Sequence, residues 1–172
     1  MRIVGGKWAG RDLTSPNDFR VRPTAERVRA ALLDLLKADL PDARVLDLFA
    51  GTGALGLEAL SRGAKSADFV EFRPACLHAL KANVAALRMR DCTRIFKKDA
   101  LPFATMLTTA GAYDIAFCDP PYESRMLDRV IEGWQITHFA RVLAVEHAAT
   151  HKLPKGALRR DFDDTAITIY RA

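Results

Sequence analysis

Three observations predict an α/β domain with a mostly parallel sheet, closed by an antiparallel strand pair at the C-terminal end. From Arg44 onward, short apolar runs alternate with helical stretches, a pattern that calls for helices on both faces of a parallel sheet. A glycine-rich turn, Gly51-Thr52-Gly53-Ala54-Leu55-Gly56, follows the first of these runs. The tail then carries two strand-like runs around a polar turn, Asp163-Asp164-Thr165. A chain of 172 residues suits one domain and can bury about 70% of its unfolded surface.

The elements follow in order. Residues 1–23 read as a basic, glycine-containing arm with room for a short hairpin, given Gly5, Gly6, Gly10, Pro16 and Pro23. Residues 24–40 form a helical unit: Thr24 is the expected N-cap, and Val28, Leu32, Leu35 and Leu36 share one face while Arg27 and Arg29 point elsewhere. Pro41 ends that unit, and the core is expected over 44–172. Its strands are expected at Arg44–Phe49, Ala67–Glu71, Thr93–Phe96, Asp114–Cys118, Val142–Glu146, Leu158–Phe162 and Ala166–Tyr170. Helices are expected at Leu55–Ser61, Pro74–Leu87, Leu101–Thr109 and Ser124–Trp134. This is a doubly wound, Rossmann-like arrangement, in which ligands bind beyond the carboxyl ends of the strands.

Composition narrows the function. Hydrophobic residues make up 49% and charged residues 27%, which excludes a disordered chain. The apolar runs are too short for a membrane span, and Met1–Lys7 has no apolar signal core, so a cytoplasmic protein is expected. Cys76, Cys92 and Cys118 are scattered, and the four histidines lack ligand spacing; neither a disulfide framework nor a metal site is expected. Residues 1–37 hold eight Lys/Arg against four acids, which accounts for most of the net charge of +5. A basic arm on a nearly neutral body points to a polyanion, nucleic acid first, with a merely solvated surface as the alternative. Arg88, Arg90, Arg94, Lys97 and Lys98, opposed by Asp91, form a second basic cluster that reads as a solvated loop, with extension of an RNA track as the alternative.

Gly51, Gly53 and Gly56 spell G-x-G-x-x-G, and Glu71 ends the next strand twenty residues on. A dinucleotide and S-adenosylmethionine both fit that spacing, since each needs close backbone approach and an acid for ribose hydroxyls. Asp47 favours the second: a carboxylate there meets a cationic amino-acid end and repels a pyrophosphate. Asp99 follows the third strand, placed either to accept from an adenine amino group or to cap the next helix.

The most specific feature is Asp119-Pro120-Pro121-Tyr122, directly after the fourth strand. Two prolines must turn the chain out of the sheet at its carboxyl edge. The Asp119 carboxylate and the Pro120 carbonyl can then accept both hydrogens of a planar amine, while Tyr122 offers a stacking face. Such acceptors favour a pyramidal, nucleophilic nitrogen and stabilise the charge that develops as it is methylated. Cys118 reads as a buried apolar residue, Asn83 as solvent-facing or a local cap, His147 as structural, and Trp8 as either stacking on a nucleotide or packing.

Asp47-x-Phe49-x-Gly51-x-Gly53 with Asp119–Tyr122 resembles the amino-group methyltransferases. The flanking blocks Arg2–Arg11, Arg22-Pro23-Thr24-x-x-Arg27-Val28-Arg29 and Gly51–Ala64 are similar to those of the RsmD family. That resemblance runs from residue 2 to about 170. It implies a Rossmann-like methyltransferase fold, S-adenosyl-L-methionine as cofactor, and the N2 amine of a guanine in bacterial 16S rRNA as target, the guanine-966 activity of the family. It also implies a partner: 16S rRNA within the small ribosomal subunit or its assembly intermediate. By position it places Asp47, Phe49, Gly51, Gly53, Glu71, Phe72, Asp99, Ala100 and Asp119 at the cofactor. Asp119, Pro120, Pro121 and Tyr122 fall at the catalytic centre, with Lys7, Arg11, Arg22, Thr24, Arg27 and Tyr122 toward RNA. The family's glycine in the last turn is replaced here by Asp163-Asp164-Thr165, which leaves that hairpin's geometry open. Competing readings are a DNA or RNA adenine-N6 or protein-amide methyltransferase, an NAD-dependent oxidoreductase, and a non-catalytic RNA-binding relative. Against DNA stands the lack of room for a target-recognition domain. The oxidoreductase reading leaves Asp119–Tyr122 unexplained. A monomer is the default expectation.

Overall fold

Strands rich in buried apolar residues lie side by side at the centre of the molecule, because residues pointing to both faces are covered. The structure, a computed structural model, describes residues 1–17, 25–121 and 125–172. The chain order is α1 (Glu26–Leu35), β1 (Arg44–Asp47), α2 (Ala54–Ser61), β2 (Ser66–Val70), α3 (Pro74–Ala86), β3 (Thr93–Phe96), α4 (Ala100–Thr105), β4 (Tyr113–Cys118), α5 (Met126–Thr137), β5 (Ala140–Ala148), β6 (Leu158–Phe162) and β7 (Thr165–Arg171). They form one seven-stranded sheet of order β3-β2-β1-β4-β5-β7-β6. β1 to β5 run parallel, and β7 pairs antiparallel with both β5 and β6. The order reverses between β1 and β4, so the crevice for a ligand opens at their carboxyl ends.

The two faces have separate cores. Val45, Phe69, Ile115, Phe117, Ala144 and Ile167 pack toward α1 and α2, whereas Leu46, Val70, Cys118, Leu143 and Val145 pack toward α4 and α5. The α5 helix is held by Trp134, whose Nε1 donates to the Ala140 carbonyl at 2.7 Å. Helix α4 ends at Thr105 rather than Thr109; Met106 caps it, and the chain reverses through Gly111 at φ +64°.

The arm does not hang free. Ile3 N–H donates to Arg11 O at 2.9 Å and Gly10 N–H to Ile3 O at 2.8 Å, closing a short hairpin. Buried Glu58 of α2 accepts from Val4 N–H at 2.9 Å and Gly5 N–H at 2.7 Å. Arg29 was expected to point away from the helix's apolar face; instead it is fully buried, its Nε 3.4 Å from Glu58 and its Nη2 donating to Arg2 O. Asn83, expected at the surface, is buried too. Its Oδ1 accepts from Thr14 N–H at 2.7 Å, and its Nδ2 donates to Thr14 O at 3.0 Å and Thr52 O at 2.9 Å. One amide therefore replaces a missing strand neighbour for Thr14 and ties the arm to the glycine loop. Trp8 takes the packing role, set against the same core, with Lys7 Nζ 4.8 Å from its ring centre.

The expected Thr24 cap lies outside the described residues; the N-cap position is Ala25, with no side-chain cap. Arg22 and Tyr122 also lie outside them, as does the expected start of α5 at Ser124. The last turn forms with Asp163 at φ +47°, a conformation Asp adopts more readily than most residues, and Leu158–Phe162 pairs in register with Thr165–Ile169.

Candidate active site

The sequence places an acid at the end of several apolar runs, and the sheet brings three of them into one row. Asp47, Glu71 and Asp119 each continue the face that carries Val45, Phe69 and Phe117 beneath them. Their proximity is legible in Asp47. Burial, chiefly, pushes its carboxyl up to about 7, and the charges of Asp119 and Glu71 add to that, against the opposing Gly56 N–H. That N–H donates at 3.1 Å, so Asp47 also anchors the first turn of α2.

Glu71 clasps the glycine loop. It accepts from Gly51 N–H at 2.9 Å, from Phe72 and Arg73 N–H at 3.0 and 2.9 Å, and from Arg73 Nε at 3.2 Å. The glycines divide the work. A Cβ on Gly53 would lie 2.4 Å from Leu80 Cδ1, and one on Gly56 2.4 Å from Phe69 Cε1, so both positions serve packing of α2 on the sheet and α3. A Cβ on Gly51 would meet nothing within 4 Å; with φ +56°, the backbone there faces open space. That is a surface a ligand can approach closely.

Phe72 is 55% exposed beside this loop, a large aromatic left uncovered at the crevice. Phe49 is partly buried against the α4/α5 core, and Ala100 is buried at the first position of α4. Asp99 does cap α4, accepting from Leu101 N–H at 3.4 Å. Pro120 is buried and Pro121 exposed, so the chain turns outward there as the paired prolines require. Cys118 is buried, and its thiol is pushed well up by burial and by Asp119 and Asp47, which disfavours the thiolate there. Burial lowers the pKa of His147, whose ring is bonded to Thr168 Oγ1 at 2.9 Å, a structural placement. Among the described residues no cluster of metal-binding side chains occurs, and no helix is long and apolar enough to cross a membrane.

The basic residues separate. Arg27 pairs with Asp163 at 2.9 Å, and Asp163 sits at the β6–β7 turn next to the carboxyl end of β5, so Arg27 borders the crevice. Lys7 N–H donates to Ser61 O at 2.8 Å and Arg11 Nη2 to Ala86 O at 3.1 Å, the last residues of α2 and α3. Those helices run back toward the amino edge of the sheet, so Lys7 and Arg11 lie at the far end from the acids. Arg94 leaves the second basic cluster: it forms a two-pronged pair with Asp68 at 2.9 and 2.6 Å.

Glu146 was missed by the sequence reading. It is buried in β5, two residues before that strand ends; the expected strand Val142–Glu146 closed on it, as other expected strands closed on acids, and that pattern would have found it.

Fold and site together define a Rossmann-like methyltransferase. The family model described as conserved hypothetical protein 95 matches residues 1–162. The ribosomal RNA small subunit methyltransferase D of Escherichia coli is 40% identical over 139 residues, covering 78% of this chain and 69% of the relative. The protein of the same name from Haemophilus influenzae is 33% identical, covering 76% and 68%. A Thermus thermophilus structure described as a hypothetical protein superposes with TM-score 0.85 at 32% identity, covering 100% of this chain and 99% of its own. The chain belongs to the RsmD family.

Proposed function

We propose that this protein transfers a methyl group from S-adenosylmethionine to the exocyclic N2 amine of a guanine in 16S rRNA, the base at position 966, presented on a small ribosomal subunit or its assembly intermediate. The observation that carries the reading is the row of Asp47, Glu71 and Asp119 around the open face of Gly51, ending in Pro120-Pro121. The names of the two relatives above support the rRNA substrate.

The residues fit this cofactor. A crowded, buried set of carboxylates costs free energy unless a cation meets it, and Asp47 is raised for that reason. Asp47 would hold the ammonium end and release its proton on doing so. Glu71 would take ribose hydroxyls, exchanging part of its present N–H partners, while Phe72 covers the adenine and Phe49, Asp99 and Ala100 line its edge. When bound, S-adenosylmethionine supplies a methyl carbon made electrophilic by positive sulfur. The Asp119 carboxylate and Pro120 carbonyl would accept the two amine hydrogens, fixing the nitrogen and offsetting the positive charge it gains. Positioning of this kind contributes roughly 7–11 kcal/mol in well-oriented reactions. Tyr122 would stack on the base, and Arg22, Thr24 and Arg27 would face RNA at the crevice mouth.

The test is transfer of a labelled methyl group to unmodified small subunits, protein-free rRNA and duplex DNA, followed by identification of the nucleoside. N2-methylguanosine on the particle is expected. N6-methyladenosine would replace the guanine reading with an adenine one. Asp119→Ala should lower kcat by about 100- to 1,000-fold with cofactor binding retained; unchanged turnover would remove Asp119 from the mechanism.

A further inference from the structure

We infer that Glu146 selects guanine as the target base, its carboxylate accepting the N1–H while the neighbouring N2 amine lies at Asp119 and Pro120. This rests on the guanine reading above and adds a specificity residue to it.

Strands β4 and β5 run parallel and in register up to Cys118 beside Val145. The next residues are Asp119 and Glu146, so the two acids occupy the same level at the carboxyl edge. They also share a face. Phe117 and Ala144 lie in the core under α1 and α2, Cys118 and Val145 in the opposite core, and strand alternation returns Asp119 and Glu146 to the first side. A hydrogen bond supports this: Thr165 Oγ1 donates to Glu146 Oε1 at 3.3 Å from β7, whose Ile167 and Ile169 line that first core. Glu146 is 5% exposed, so its carboxylate acts in a poorly hydrated place where hydrogen-bond matching is discriminating. The row across the sheet is then Glu71, Asp47, Asp119 and Glu146, with the cofactor side at one end and Glu146 at the other.

Guanine presents two donors side by side, N1–H and the N2 amine. A base bound with its amine at Asp119 must set N1 to one side of it, and a carboxylate there satisfies N1–H. A base whose N1 is an unprotonated acceptor would face that carboxylate lone pair to lone pair. Such mismatches cost far more than a missing contact, because both groups stay buried and unpaired. The neighbouring His147 does not take the role: its ring nitrogens are engaged by Ala148 O and Thr168 Oγ1.

The experiment uses small subunits reconstituted with either guanine or 2,6-diaminopurine at the target position. The second base keeps the N2 amine but carries an unprotonated N1. Wild type should favour guanine by on the order of 100-fold or more in kcat/KM. Glu146→Gln keeps the acceptor for Thr165 but adds an amide donor for N1, and should reduce that preference at least about tenfold. The readout is a ratio between two bases on one enzyme preparation, so loss of folded protein cancels, and a structural role for Glu146 would leave the ratio unmoved. An unchanged preference in Glu146→Gln overturns the inference while leaving guanine methylation standing. Wild type that puts no label on guanine N2 overturns the functional reading, and the inference with it.

Discussion

Replacing Glu58 should destabilise this protein far more than replacing the arginine it pairs with. Both side chains are fully buried, with Nε and Oε2 at 3.4 Å, yet their partners differ. Without Arg29, Glu58 still holds Arg62 Nε at 3.2 Å and the amides of Val4 and Gly5. Without Glu58, the Arg29 charge is left with the Arg2 carbonyl, and the two arm amides lose their acceptor. Glu58→Met should therefore cost about 3–5 kcal/mol, the range for one member of a buried pair removed alone. For a chain of this size that is a melting point lower by roughly 6–20 °C. Arg29→Met should cost about 2 kcal/mol, near the value of a charged hydrogen bond. The double variant removes both charges and should cost about 2 kcal/mol less than the sum of the singles. Urea unfolding of the four proteins supplies these numbers, and amide exchange at Val4 and Gly5 reports arm release directly. Single costs that add to within about 0.5 kcal/mol, or a larger loss from Arg29→Met than from Glu58→Met, would refute the idea that this pair fastens the arm.

Three further outcomes are expected. Asp47 has its folded pKa raised to about 7 from 3.8, so the stability it allows is full below pH 4 and is lost as pH rises through 7; Asp47→Asn should be the more stable protein at pH 8 and lose that advantage near pH 4, in thermal melts of the ligand-free chain. Cofactor affinity of the wild type should rise over the same interval, because the ammonium end prefers ionised Asp47. Gly51→Ala meets no atom within 4 Å and should cost only about 1–2 kcal/mol for its left-handed φ, yet weaken cofactor binding at least tenfold in calorimetric titration, whereas Gly56→Ala should lower the melting temperature with the larger share of its effect on stability.

The sheet was legible because each strand is a short apolar run and each crossover a helix-length stretch: β3 and β6 match their expected bounds, and the others lie within one to two residues. Three acids of the site were legible for a related reason. Asp47, Glu71 and Asp119 each close such a run, and a carboxylate at the end of an apolar strand stands out in the sequence. Glu146 closes the expected run Val142–Glu146 in the same way, but its place beside Asp119 comes from the pairing of β5 with β4, which the sequence does not show. Asn83 and Arg29 were misread because helical periodicity treats a polar residue on a buried face as an error in phase; both are buried against backbone groups of the arm, more than 25 residues away in sequence.

What the sequence determined alone is therefore local: period-two and helical runs, the turn demanded by Gly51 and Gly53, the exit forced by Pro120-Pro121, and the excess of positive charge near the start. Tertiary structure decided what meets what. It folded the basic arm onto α2 through Glu58 and onto α3 through Asn83, and so held Lys7 and Arg11 at the last residues of those two helices. It set Asp119 and Glu146 on one level by the register of β4 and β5, and it gave Asp47 its raised pKa by burying it among other acids. Charge, burial and hydrogen-bond partners belong to residues distant in the chain, and they act over a few ångströms that only the folded sheet provides.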